Sequence, residues 1–198
     1  MTSFSEEGVS LRDVLARATS HLHERLDRAL GEALKDRYAL AAFLRATDAA
    51  LTSVGPSLVA SGVWRISDAA LRKRAIELDL EALGTQATTV ARRSSAFAPS
   101  TIAESYGCAY VVEGSALGGL ALAKQLAPRL GLTLGAMRYL TLRGPDTLPK
   151  WRAFLSELEA FGGRAGERER RSAATAARST FELYAAALEK EGLLQWSR

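Results

Sequence analysis

The chain is poor in the residues that usually carry chemistry. It has a single cysteine, Cys108, which excludes an internal disulfide, and only two histidines, His21 and His23. One Cys and two His cannot furnish a structural zinc site. The residues three before the histidines are Ala18 and Ser20, so the Glu-x-x-His pairs of a di-iron bundle are missing. No apolar run reaches the eighteen residues of a membrane span, and Met1 to Ser10 lacks a basic start followed by an apolar core, so a cytoplasmic location is expected. No stretch alternates in the strand pattern, and no repeat or linker marks a second domain. Aromatic residues make up 7% of the chain and do not interleave with a basic stripe, which argues against nucleic-acid binding despite a net charge of +4. The densest charged run, Arg164 to Arg171, mixes Glu167 and Glu169 among its arginines and reads as a solvated helix start.

What is present is helical periodicity in 198 residues of ordinary apolar content, 47%, enough for one all-α domain with a bundle-like core. Residues 1–9 are expected to be a flexible lead-in. Apolar residues from Leu11 to Ala29 recur at steps of three and four and predict a first helix from Ser10 to about Leu30, capped by Ser10 with Asp13. A second helix is expected from about Arg37 to Ser53, closed by Gly55-Pro56, and a third from after Ser67 until Gly84. The polar segment 85–100 reads as a loop with a turn of helix near Val90. Thr101 and Glu104 have capping-box spacing and open a long helix that should end before Pro128. Residues 129–145 look irregular, a helix follows from Thr147 to about Ala160, and after a Gly162-Gly163 break the last helix runs from about Glu167 to Lys190.

The long helix contains Tyr110-Val-Val-Glu-Gly-Ser-Ala-Leu-Gly-Gly119. Gly114, Gly118 and Gly119 each cost a helix interior roughly 1 kcal/mol relative to alanine. Gly114 and Gly118 are four apart and share a face, where bare backbone can bend or admit a flat partner. Close packing against another helix explains the pair equally well. The glycines neither follow a strand nor open a helix, which removes the dinucleotide fingerprint, and Ser115 is not in a Gly-x-Ser-x-Gly elbow.

On the first helix His21 falls with Arg17, Glu24 and Arg28 on a solvent-like side. His23 falls with Thr19, Leu26 and Leu30 at the edge of the apolar face. Asp27, one turn beyond His23, is placed to orient its ring through the second nitrogen. One histidine can be an axial ligand to a metal already held by something else, and opposite a helix of exposed backbone that describes a haem between two helices.

These two stretches resemble the haem oxygenases, and more closely the bacterial ones associated with bacteriophytochromes. Leu15-Ala-Arg-Ala-Thr-Ser-His-Leu-His-Glu-Arg-Leu-Asp27 is similar to the family's proximal helix, where Ala-Thr-x-x-x-His spacing selects His23 as the iron ligand. Tyr110 to Gly119 is similar to its distal helix, with Gly114 and Gly118 matching the glycines that kink it over the haem. Weaker similarity runs through Asp79-Leu-Glu-Ala-Leu-Gly84, Trp151-Arg-Ala-Phe154 and Ala177 to Phe181, in order along most of the chain. The resemblance implies a helical bundle of the haem oxygenase type. It implies an enzyme that opens haem, its substrate and cofactor at once, with O2 and external electrons, giving biliverdin, carbon monoxide and ferrous iron. His23 would be the proximal ligand with Asp27 behind it, and Gly114, Ser115 and Gly118 the distal wall. Ser115 stands where animal enzymes have an aspartate, so the water that delivers protons would be arranged differently. Arg17, Lys150 and Arg152 are candidates for the haem propionates. Thr19, Tyr110, Gly119 and Phe181 complete the implied haem contacts, although core packing is the favoured role for the aromatics Tyr106, Tyr110 and Phe181, with pocket lining the lesser one. Electrons would come from a ferredoxin or flavoprotein reductase, and a bacteriophytochrome could accept the biliverdin. A non-catalytic haem carrier or interaction protein on the same fold is the alternative.

Overall fold

The protein is described here from a computed structural model covering residues 9–85 and 97–196. Six helices form one all-α bundle, and no strand occurs among the described residues: α1 (Leu11–Ala33), α2 (Arg37–Ala60), α3 (Ile66–Ala82), α4 (Ile102–Leu130), α5 (Thr147–Gly162) and α6 (Glu167–Lys190). None of them is long and apolar enough to cross a membrane. The turn expected near Val90 and the flexible lead-in lie outside the described residues, except for Val9.

The helix starts follow local chemistry. Ser10 Oγ accepts the Asp13 amide, and the first free amides of α1, on Leu11 and Arg12, donate to Glu159 of α5 at 3.2 and 2.8 Å. Thr101 and Glu104 form the capping box expected of them. Gly84 ends α3 and Gly131 ends α4, both at positive φ.

Two stops fail. α2 continues through Gly55-Pro56 to Ala60 and α4 through Pro128 to Leu130. A helical proline deprives the carbonyl four residues earlier of its donor. Here those residues, Thr52 and Lys124, are exposed like the prolines themselves, so water can serve the freed carbonyls. Burial of Val54 and Leu58 on one helix, and of Leu126 and Leu130 on the other, rewards continuing. Elsewhere the differences are small: α1 runs on to Ala33, α3 opens at Ile66, and α5 reaches Gly162. Within 129–145, a single 3-10 turn forms at Leu134–Ala136, and another follows at Gly144–Asp146.

α6 is the centre of the bundle. It packs along α4, α1 and α2, whereas α1 and α4 touch each other marginally at most. Arg170 on α6 donates to the carbonyl of Val9 (2.8 Å), and further along Phe181 meets the ring of His23. Ser172 donates to Glu104, and Ala173 backs onto Gly107. Both pairings ascend together, so α1, α4 and α6 run in the same sense. Counting about 1.5 Å per residue from these pairings, His23 on α1 and Gly114 on α4 come within about two turns of the same height on either flank of α6.

Candidate functional site

On the α1 flank, His23 Nδ1–H donates to Asp27 Oδ2 at 2.9 Å, an i,i+4 pair in which both side chains are more than half exposed. This leaves Nε2 without a hydrogen bond among the described residues. Phe181 from α6 stands edge-on to the imidazole, with ring centroids 5.8 Å apart, and is itself buried. Thr19, one turn earlier, is buried and donates its hydroxyl to the Leu15 carbonyl, so its polar group is committed within the helix.

On the α4 flank the glycine face is longer than the motif suggests. At about 100° per residue, Gly107, Gly114 and Gly118 fall within about 40° of one another. A side chain at Gly107 would strike the Ala173 backbone, one at Gly114 would touch the Trp151 ring at 3.5 Å, and one at Gly118 would meet nothing within 4 Å. The face thus passes from helix packing, through aromatic cover, to open space. Gly119 differs from the expected haem contact: it is buried on another side of α4, where a Cβ would lie 2.7 Å from the Leu140 carbonyl oxygen, so its lack of a side chain serves packing. Ser115 is exposed and donates to the Val112 carbonyl at 2.8 Å, leaving its oxygen free to accept from water.

Tyr110 packs against Trp151 (5.6 Å), which stacks on Phe154. Burial raises the Tyr110 phenol above its ordinary range, while Arg12 and Asp13 on α1 act on it in opposite directions, Arg12 lowering it. Tyr106 stacks on Phe161 at 4.8 Å. The α5 aromatics therefore close the space between the start of α1 and the middle of α4. Arg17, Lys150 and Arg152 are exposed and make no hydrogen bond or ion pair among the described residues. The structure therefore groups His23 with Asp27 and Phe181, and Gly114 with Tyr110 and Trp151, while the three cations stand apart in solvent.

Behind α4 lies a buried charged cluster absent from the expectations. Glu113, 5% exposed, accepts from Arg72 of α3 at 2.8 Å and from Arg143, which follows α4 in the chain. Burial alone would lower the Arg72 pKa, but Glu113, Tyr139 and Tyr184 outweigh it and hold the guanidinium above its ordinary range. Arg72 also lies over the Trp64 ring, 4.8 Å from its centroid. Asp79, buried on α3, accepts the amides of Arg138 and Tyr139 at 2.8 Å each. Desolvation raises its pKa against the pull of those bonds. A lone carboxylate inside the apolar run Cys108 to Gly118 was the available signal for the cluster, but its partners lie 41 and 30 residues away.

Two cavities are prominent elsewhere. One of about 250 Å³ lies between the starts of α4 and α6, and one of about 310 Å³ lies between α2 and α3 beside Trp64 and Arg72. Among the described residues no three of His, Cys, Asp or Glu converge to hold a metal ion unaided. A group that brings its own metal and needs one protein ligand suits His23 Nε2, with Nδ1 tied to Asp27, better than a bare ion would. No protein-family model matches this chain, and no curated protein matches it.

Proposed function

We propose that the chain is a haem oxygenase, opening haem to biliverdin. The observation that supports this most is a relation across α6: an imidazole with its Nε2 free on one flank, and on the other, near the same height, a glycine face that opens at Gly118.

In this reading His23 Nε2 would hold the iron. Asp27 accepts the Nδ1 proton, which fixes the tautomer and turns the Nε2 lone pair outward. Phe181 limits rotation of the ring from the α6 side. When bound, haem supplies the iron at which oxygen is activated and is itself the substrate, consumed to biliverdin, carbon monoxide and ferrous iron with electrons from a ferredoxin or flavoprotein reductase. Gly118 offers bare backbone beside open space, which a larger residue would fill, while Gly114 lies under the Trp151 ring and would border that space through its aromatic cover. Ser115 keeps an acceptor for ordered water on the adjoining side of α4. Arg17, Lys150 and Arg152 have no competing partner among the described residues and are available to propionates, for which guanidinium is the better matched cation. A bacteriophytochrome is the acceptor that the resemblance suggests for the product.

Haem titration followed by a reductant in air tests the reading. One haem per chain and growth of biliverdin absorption are expected. Absence of stoichiometric binding overturns the proposal, and stable binding without biliverdin makes the chain a haem carrier.

A further inference from the structure

We infer that Glu113 is a positioning residue for the glycine face, acting through Arg72 and Arg143. This goes beyond the haem oxygenase reading and rests on it only for its consequence at the haem. The stretch from Gly107 to Gly119 is the weakest part of α4, because four glycines there remove the side chains that would otherwise stiffen and orient a helix. It is held by its neighbours instead. Gly107 sits against the Ala173 backbone on α6, Gly119 against the Leu140 carbonyl, and Glu113 between them binds two guanidinium groups.

By the helical repeat, Glu113 and Gly119 lie about 120° to either side of the glycine face, so these attachments leave Gly118 clear while fixing the rotation of the helix. The anchors on Glu113 are themselves anchored. Arg72 belongs to α3 and is covered by Trp64, and the 137–143 segment that ends in Arg143 is tied to α3 by the two amides that donate to Asp79. Glu113 and Gly114 are consecutive, so any rotation at the carboxylate is transmitted directly to the face. Buried ion pairs are poor stabilisers compared with apolar packing, and their best attested use is to fix one register among several.

The cluster carries two arginines and one glutamate, which makes two explanations separable. Glu113→Gln makes it more positive and Arg143→Met makes it less positive. A clamp is loosened by either change, whereas an electrostatic effect reverses between them. The first measurement is amide hydrogen exchange in the protein without haem. Both variants are expected to exchange about tenfold faster within 112–119, with the rest of α4 little changed. Arg143→Lys should recover part of the protection. Unchanged exchange in that stretch overturns the inference. If Glu113→Gln does not fold, Arg143→Met, which leaves a neutral Arg72–Glu113 pair, decides alone.

The second measurement uses carbon monoxide as probe on the reduced haem complex. Its stretching band should broaden or shift in the same sense in both variants, with haem affinity held. Shifts of opposite sense would replace the clamp by a charge effect and overturn it. Failure of the wild-type chain to bind haem defeats the haem oxygenase reading, and the exchange result still judges the clamp.

Discussion

The carbonyl oxygen of Ala173 occupies the space that a side chain at Gly107 would need. A Cβ built there would stand 2.0 Å from it, a separation that packed helices cannot absorb without moving apart. Gly107 is therefore a packing glycine, although it shares its face with Gly114 and Gly118. Gly107→Ala should lose about 2 kcal/mol or more, since overpacking against backbone exceeds the roughly 1 kcal/mol that alanine gains in helix propensity. Urea unfolding measures it, and a neutral or stabilising result would mean that α4 and α6 separate freely.

Gly118 makes the opposite case. Nothing lies within 4 Å of a Cβ there, so Gly118→Ala meets no clash and should stabilise the protein without haem by roughly 0.5–1 kcal/mol. On the haem oxygenase proposal, turnover should fall nonetheless, and Gly118→Leu should block haem or oxygen while the bundle stays folded. Paired unfolding and haem titrations separate the two effects. A stabilised variant with undiminished haem chemistry would leave this glycine without a functional reason.

Most of the architecture is legible from periodicity because each helix buries one face, and the caps at Ser10 and Thr101 need only residues three apart. Pro56 and Pro128 mislead because the cost of a helical proline depends on whether water reaches a carbonyl one turn away, which depends in turn on tertiary burial. The candidate site divides in the same manner. His23 with Asp27 is local and visible. The distinction among Gly107, Gly114, Gly118 and Gly119 is not, since identical residues at helical spacing face Ala173, Trp151, open space and Leu140 respectively. The Glu113 cluster is invisible for the same reason, because it joins α3, α4 and the 137–143 segment.

Glu104 should give the protein an acid-sensitive helix start. Its carboxylate accepts from the Ser100 amide (2.7 Å) and hydroxyl, from Thr101 N and weakly from Ser172, and the Ser100 amide is the main reason its pKa lies below the ordinary glutamate range. A depressed carboxylate contributes stability above its unfolded pKa and loses it as pH falls through the folded value. Wild-type stability should therefore drop on acidification below about pH 4, and Glu104→Gln should flatten that limb while lowering stability at neutral pH. Unfolding curves across this range check both parts.

Cys108 should be inert in the native state. Burial, opposed by Thr180, pushes its thiol up to about 12, and no part of the residue is open to solvent. Iodoacetamide at mildly alkaline pH needs an exposed thiolate, so alkylation should follow global unfolding and accelerate with denaturant. Rapid native-state labelling would show that the α4–α6 seam opens locally.

His23→Ala is informative because the residue does so little for the fold. His23 and Asp27 are 56% and 66% exposed, and a solvent-exposed side-chain contact of this kind adds at most a few tenths of a kcal/mol. Loss of the imidazole also removes its edge contact with Phe181, which is held independently by burial on α6. Thermal unfolding should scarcely change, so any effect on haem cannot be attributed to damage of the bundle. On the haem oxygenase proposal the variant is expected to lose the axial histidine spectrum, with added imidazole restoring it, whereas Asp27→Asn keeps an acceptor for Nδ1–H and should only weaken the ligand. An unaltered axial spectrum in His23→Ala would move the iron ligand elsewhere. Restoration by imidazole would show that the alanine leaves a vacancy facing the iron, which an exposed histidine in a merely structural pair would not.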